Sequence, residues 1–167
     1  MTDTNDRAEL APQDHRELLR VLVGHWEGTC RTWFEPTKVA DESAVRGEFA
    51  EVLDGCFLRH SYESTMLGKP RSGEELLAFN KVAGVFELTW IDDFHMNYAI
   101  LYSLGKPTPR GFDIRGNYDV GADQPSWGWR TVYEMRDNDT LSITAYNIEP
   151  DESEARAMET VYHRVKN

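Results

Sequence analysis

From Gly24 to the C-terminus, apolar and polar residues alternate in short runs rich in Thr, Val, Phe, Tyr and Trp, instead of recurring at helical spacing. Turn signals separate the runs: Asp54-Gly55, Gly68-Lys69-Pro70, Ala83-Gly84, Asp92-Asp93, Gly105-Lys106-Pro107, Gly121-Ala122-Asp123, Asp137-Asn138-Asp139 and Pro150-Asp151. Asp-Gly is the strongest, because a two-residue type I′ turn needs positive φ at both central positions. Reading between the signals predicts about ten strands, at 25–34, 43–53, 56–66, 74–80, 84–91, 96–104, 110–118, 126–136, 140–148 and 156–165. Ahead of them, Pro12-Gln13-Asp14 leads into a short helix that Asp14 caps while Glu17 reaches back. Leu18, Leu19 and Leu22 form its apolar stripe and Gly24 ends it. Residues 1–11 read as a disordered arm and residues 12–167 as a single domain.

No helical stretch interrupts the strand series, so parallel β-α-β units are excluded. The expected fold is all-β: an antiparallel up-and-down β-barrel of about ten strands with one short N-terminal helix. Closure removes exposed sheet edges. Within single strands the faces are of mixed polarity. Trp127, Trp129, Thr131, Tyr133 and Met135 oppose Gly128, Arg130, Val132 and Glu134, and Leu58, His60, Tyr62, Ser64 and Met66 oppose Phe57, Arg59, Ser61, Glu63 and Thr65. A barrel enclosing a partly polar cavity produces this pattern, and so does a mixed outer surface.

Charge narrows the partners. A formal net charge of −11 with scattered basic residues has the wrong sign for tracking phosphates, which speaks against nucleic acid. The same acidity repels anionic headgroups, and no apolar run is long enough to span a bilayer, which speaks against a membrane role. The polar start, Met1-Thr2-Asp3-Thr4-Asn5-Asp6-Arg7, lacks the pattern of a secretory signal, and a cytoplasmic location is expected. Cys30 and Cys56 have neither C-x-x-C spacing nor neighbouring histidines and read as free thiols.

Leu22-Val23-Gly24-His25-Trp26-Glu27-Gly28 runs a helix into Gly-x-Trp at the head of the first strand, and resembles the opening motif of lipocalin-like calycins. The resemblance implies that Arg164, in Tyr162-His163-Arg164, packs across Trp26 and ties the last strand to the first, making Gly24, Trp26 and Arg164 structural. Four segments carry a fuller likeness: Gly24-His25-Trp26-Glu27-Gly28, Glu51-Val52-Leu53-Asp54-Gly55-Cys56-Phe57-Leu58, Leu88-Thr89-Trp90-Ile91-Asp92 and Ala157-Met158-Glu159-Thr160-Val161-Tyr162-His163-Arg164. Over roughly residues 13–165 they resemble the bacterial family called domain of unknown function 1579, with Thr-Trp-Ile-Asp the most specific piece. This implies a lipocalin-like barrel and no particular reaction. Asp93-Phe94-His95-Met96 departs from the small hydroxyl residues that relatives tend to carry there.

Three constellations bear on chemistry. Asp92, Asp93 and His95 stand at a strand-to-loop junction, where they form either a metal or general-base site or an ordinary acidic turn. His60 and Tyr62 share one strand face and can reach a common ligand. Among His15, His25, His60, His95 and His163, His60 is the residue on which a haem would fall, although no cofactor is expected. The aromatic residues offer walls for a flat ligand, with Tyr62, Trp90, Tyr102, Trp129 and Tyr133 as expected lining. Arg115, Arg130, Glu134 and Glu159 are strand charges that need partners if they face inward. No Gly-x-Ser-x-Gly elbow, phosphate-cradling loop or His-Glu-x-x-His is present.

The leading expectation is a non-catalytic binder of a small hydrophobic or aromatic molecule, with His60 or Arg115 orienting a polar end. A cofactor-free cyclase or isomerase would use the same cavity to fold a substrate over one acid or base, such as a buried His60, Glu134 or Asp92. A filled barrel would instead serve as a scaffold or dimerisation module, for which a homodimer is the natural association.

Overall fold

The computed structural model describes residues 15–96 and 98–166. One helical turn, α1 (Glu17–Arg20), precedes β1 (Gly24–Glu35), β2 (Lys38–Val52), β3 (Phe57–Met66), β4 (Lys69–Asn80), β5 (Val85–Asp92), β6 (Leu101–Thr108), β7 (Gly111–Tyr118), β8 (Trp127–Asp137), β9 (Thr140–Ile148) and β10 (Glu154–Arg164). Each strand pairs antiparallel with its sequence neighbours, and β10 returns to pair with β1, so the ten strands form a closed barrel. The up-and-down architecture expected from alternation is therefore the one observed. The arm at 1–11 and the Asp14 cap lie outside the described residues, and the N-cap position is held by Arg16. Among the described residues no helix is long and apolar enough to cross a membrane.

Local chemistry sets the turns. Asp54 and Gly55 have φ of 56° and 76°, and the Cys56 amide donates to the Leu53 carbonyl at 3.2 Å, as the Asp-Gly signal requires. Two other signals mislead. Pro70 and Pro107 read as turn residues, yet both lie inside strands, and the physical reason is the same for each. β5 pairs with β4 only from Gly73 onward and with β6 only as far as Gly105, so residues 69–71 and 106–108 each have one free edge. A proline without an N–H is tolerated there. The turn of the β3–β4 hairpin is instead Leu67-Gly68, with φ of 50° and 77°. β6 likewise begins at Leu101 instead of near 96, because the Asp92 side chain holds residues 93–96 in a loop.

The helix end of the barrel is closed by apolar packing. Leu19 and Leu22 are buried beneath the strands, and Trp26 is 1% exposed. The Arg164 guanidinium lies over the Trp26 ring at 4.2 Å and donates to the carbonyls of Val21 (2.6 Å), Val23 (2.9 Å) and Asn138 (3.3 Å), while the Trp26 indole N–H donates to the Leu22 carbonyl at 2.8 Å. Carbonyls left open at the end of α1 thus gain donors from the last and first strands. Replacing Arg164 by alanine removes a stack and three charge-assisted bonds, and is expected to cost about 2 kcal/mol in urea unfolding with little change in the denaturant slope. A loss below about 0.5 kcal/mol would show that this clasp contributes nothing beyond the strand pairing.

Candidate functional site

Inward-facing residues are graded from apolar to polar along the barrel. Nearest α1, the rings of Phe79, Phe86, Phe112 and Tyr133 run in a chain with centroid spacings of 5.0, 4.4 and 4.5 Å. Above them lies a hydrogen-bonded cluster. Glu75 Oε2 is 2.6 Å from His60 Nδ1 and accepts a short bond from the Tyr133 hydroxyl, and His60 Nε2 is 3.2 Å from the Tyr162 hydroxyl. The His60 ring stacks on Phe49 at 4.0 Å. Glycines make room for these groups: a Cβ on Gly47 would sit 2.5 Å from the Tyr162 oxygen, and one on Gly73 would sit 2.3 Å from the Tyr62 oxygen. A central cavity of about 50 Å³ remains, bordered by His60, Tyr62, Arg71, Glu75, Trp90 and Trp129 among others.

The opposite end is open. A mouth of about 300 Å³ is walled by Trp33, Phe34, Trp90, His95, Tyr118 and Trp129 together with neighbouring residues. Trp90 and Trp129 stack at 5.3 Å and border both spaces, so this pair divides the mouth from the central cavity. The Trp90 indole N–H donates to the Tyr62 hydroxyl at 3.0 Å, which fixes one leaf of the pair.

Asp92, at the end of β5, has a fully buried side chain whose Oδ1 accepts from the backbone N–H groups of His95 (2.6 Å) and Met96 (2.5 Å), and whose Oδ2 lies 2.9 Å from His95 Nδ1. Burial pushes its carboxyl pKa up, but the His95 side-chain bond and these backbone donors outweigh that and leave it below the usual range. Asp92 is therefore an anchor that orients His95 toward the mouth. Asp93 turns outward and accepts from the backbone N–H and hydroxyl of Ser72 at 2.9 and 3.0 Å. Among the described residues no group of His, Cys, Asp and Glu has metal-holding geometry.

Of the residues expected to line the cavity, His60, Tyr62, Trp90, Trp129 and Tyr133 are buried on the inner face. Tyr102 and Arg115 are not there. Tyr102 is half exposed on the outer face of β6, and Arg115 pairs outside the barrel with Glu152 at 2.8 and 3.0 Å. Glu134 likewise pairs with Arg110, Arg130 with Asp113 and Glu154, and Glu159 with Arg31 and Arg136. A strand of alternating residues has two faces, and β-propensity alone does not say which one turns inward. Both nitrogens of His60 are engaged and the space beside it is far below the ~300 Å³ of even a small ligand pocket, so these residues do not fit a haem as they stand.

Sequence reading missed two charged interior residues, Glu75 and Arg71. Arg71 falls between the Gly68-Lys69-Pro70 signal and the strand expected at 74–80, and Arg71, Gly73, Glu75, Leu77 and Phe79 alternate on the inner face once β4 is extended to Lys69. Arg71 is 3% exposed. Cys30, also buried, lies against its guanidinium, and Cys56 is exposed.

Three of the chain's seven tyrosines stand apart electrostatically. Burial is the main cause pushing Tyr62, Tyr133 and Tyr162 well above the phenol value of 10.0, with the Glu75 charge adding to it. Unfolding lets these phenols ionise, so above about pH 10 the unfolded chain binds fewer protons than the folded one. The stability their neutral forms confer is complete below that pH and is lost as pH rises beyond it. An absorbance titration of phenolate is expected to show three tyrosines ionising only together with loss of circular dichroism; independent ionisation of all seven in the folded protein would contradict the burial of this cluster.

Comparison with known proteins agrees with the architecture. The model of the family described as a protein of unknown function, DUF1579, matches residues 11–164. The crystal structure of Rv2717c from M. tuberculosis is similar at 18% identity and a TM-score of 0.65, covering 90% of this chain and 96% of that one. A redesigned β-barrel, b11L5F_LGL, is similar at 10% identity and a TM-score of 0.50, covering 92% of this chain and 100% of its own. At these identities the likeness concerns the fold. No curated protein is significantly similar to the chain.

Proposed function

The chain belongs to the DUF1579 family of proteins of unknown function, and from the chemistry of its open end we propose that it binds a small hydrophobic or aromatic molecule in the barrel mouth without transforming it. One observation carries this reading: an aromatic mouth of about 300 Å³ leads, across the Trp90–Trp129 pair, to a small central cavity bordered by His60, Arg71 and Glu75. Tryptophan and tyrosine rings give a flat ligand large apolar contact at low conformational cost. The central cavity accepts a small group and no more, so the body of the ligand rests in the mouth.

A second reading, a cofactor-free acid–base catalyst, draws support from the Asp92–His95 pair. Asp92 orients the imidazole, and His95 lies 5.8 Å from the Trp90 ring and 6.4 Å from the Trp129 ring, beside any ligand held there. Binding and turnover separate cleanly, because a binder returns its ligand unchanged.

The neutral fluorescent probe N-phenyl-1-naphthylamine tests the first reading. Its emission is expected to rise on saturable binding, and Trp129→Leu, which deletes one leaf of the wall, is expected to weaken Kd about tenfold. Mass spectrometry of the incubated probe is expected to find it intact. Absence of saturable binding to the intact protein would remove the reading, and native mass spectrometry of protein from its own host, free of bound small molecules, would count against it as well.

A further inference from the structure

Arg71 is a cation inside the barrel without an anion. It is 3% exposed, and no carboxylate among the described residues lies within ion-pair distance. Its neighbours are soft or neutral: Cys30 Sγ at 3.5 Å, Met158 Sδ at 4.0 Å and the face of the Tyr62 ring at 5.5 Å. Its Nε–H has no acceptor among the described residues. The interior carboxylates are committed elsewhere, Glu75 to His60 and Tyr133 and Asp92 to the loop backbone and His95. A guanidinium keeps its charge, and an uncompensated buried charge is costly, so a position of this kind is sustained where a ligand supplies the missing partner. Arg71 borders the central cavity, whose volume of about 50 Å³ suits a single small headgroup. The hydroxyl of Thr32, buried in the wall of the mouth, also lacks a partner among the described residues.

We propose that Arg71 is the anion-binding residue of the barrel and that its ligand is a small monocarboxylate carrying an aromatic or apolar body. This deepens the reading of the mouth as a binding site and rests on it. A planar carboxylate matches the guanidinium fork with two parallel hydrogen bonds, which a bulkier tetrahedral anion could not make in so small a space. The body then lies between and above Trp90 and Trp129, whose stacked rings must part for the headgroup to pass. The net charge of −11 repels every anion at long range, this ligand included, so affinity and discrimination arise within the barrel, where low dielectric strengthens the pairing.

Calorimetric titration with 3-phenylpropionate and its neutral isostere 3-phenylpropionamide, on the whole protein at pH 7, tests this. The acid is expected to bind roughly 10- to 100-fold more tightly than the amide. Arg71→Met, which keeps an unbranched apolar stem and removes the guanidinium, is expected to abolish that preference while changing the amide affinity far less. Equal affinities in the wild-type protein, or an undiminished preference in Arg71→Met, would overturn the assignment. If Arg71→Met does not fold, Arg71→Lys decides: loss of the fork is expected to weaken acid binding several-fold with the amide unaffected, and wild-type acid affinity would overturn the proposal. Amide binding without a preference for the acid removes the role of Arg71 and leaves the mouth as a binding site. Binding of neither probe removes both.

Discussion

The pairing of β10 with β1 is the constraint on which the rest of the molecule depends. Without it the ten strands are an open sheet with two unpaired edges, and no inside exists for His60, Glu75 or Arg71 to occupy. The register at the seam places Arg164 opposite Trp26, where one guanidinium covers an indole face and satisfies carbonyls at the end of α1. One contact therefore joins the helix, the first strand and the last. Because β1 and β10 lie at opposite ends of the sequence, this contact is also the most non-local of the fold.

Closure creates an enclosed volume, and the residues assigned to it determine how little of it is empty. Large rings crowd the helix end, and the middle is taken by phenols, an imidazole and a carboxylate that satisfy one another. Gly47 and Gly73 are part of this packing, because their missing side chains leave the space that two tyrosine hydroxyls fill. Such networks are stable when each polar member has a partner and costly when one does not. Glu75, His60, Tyr133 and Tyr162 meet that condition among themselves. Arg71 does not, and the contrast between four satisfied groups and one unsatisfied cation gives the interior its polarity.

The mouth differs in kind from the interior. Its aromatic walls are drawn from strand ends and the loops beyond them, with the loop after β5 held by the buried Asp92 carboxylate. Asp92 and Asp93, adjacent in sequence, have opposite duties: one turns inward to order His95 and Met96, the other turns outward to clasp Ser72. Sequence adjacency made them look like one cluster. Asp92 continues the inward series of Phe86, Leu88 and Trp90 along β5, whereas Asp93 stands just beyond the strand's end, and that boundary separates them.

Alternation and turn chemistry were legible in the sequence because both act over a few residues. Strand number, antiparallel order, the type I′ turn at Asp54-Gly55 and the packing of Arg164 on Trp26 were all available from local pattern or family likeness. Pro70 and Pro107 misled because a proline breaks a strand only where its N–H is needed, and whether an edge is free depends on how far the neighbouring strand extends. The same error concealed Arg71, which becomes an interior residue only once β4 is lengthened. Tyr102 and Arg115 were placed inside for their chemistry, but period-two alternation offers two faces and leaves the choice to the partner strands. The sequence by itself thus determined the elements and their order, through short-range backbone preferences. Tertiary structure alone decided which face turned inward, how much room was left and which charge went unpaired, since each is a property of residues brought together across the closed sheet.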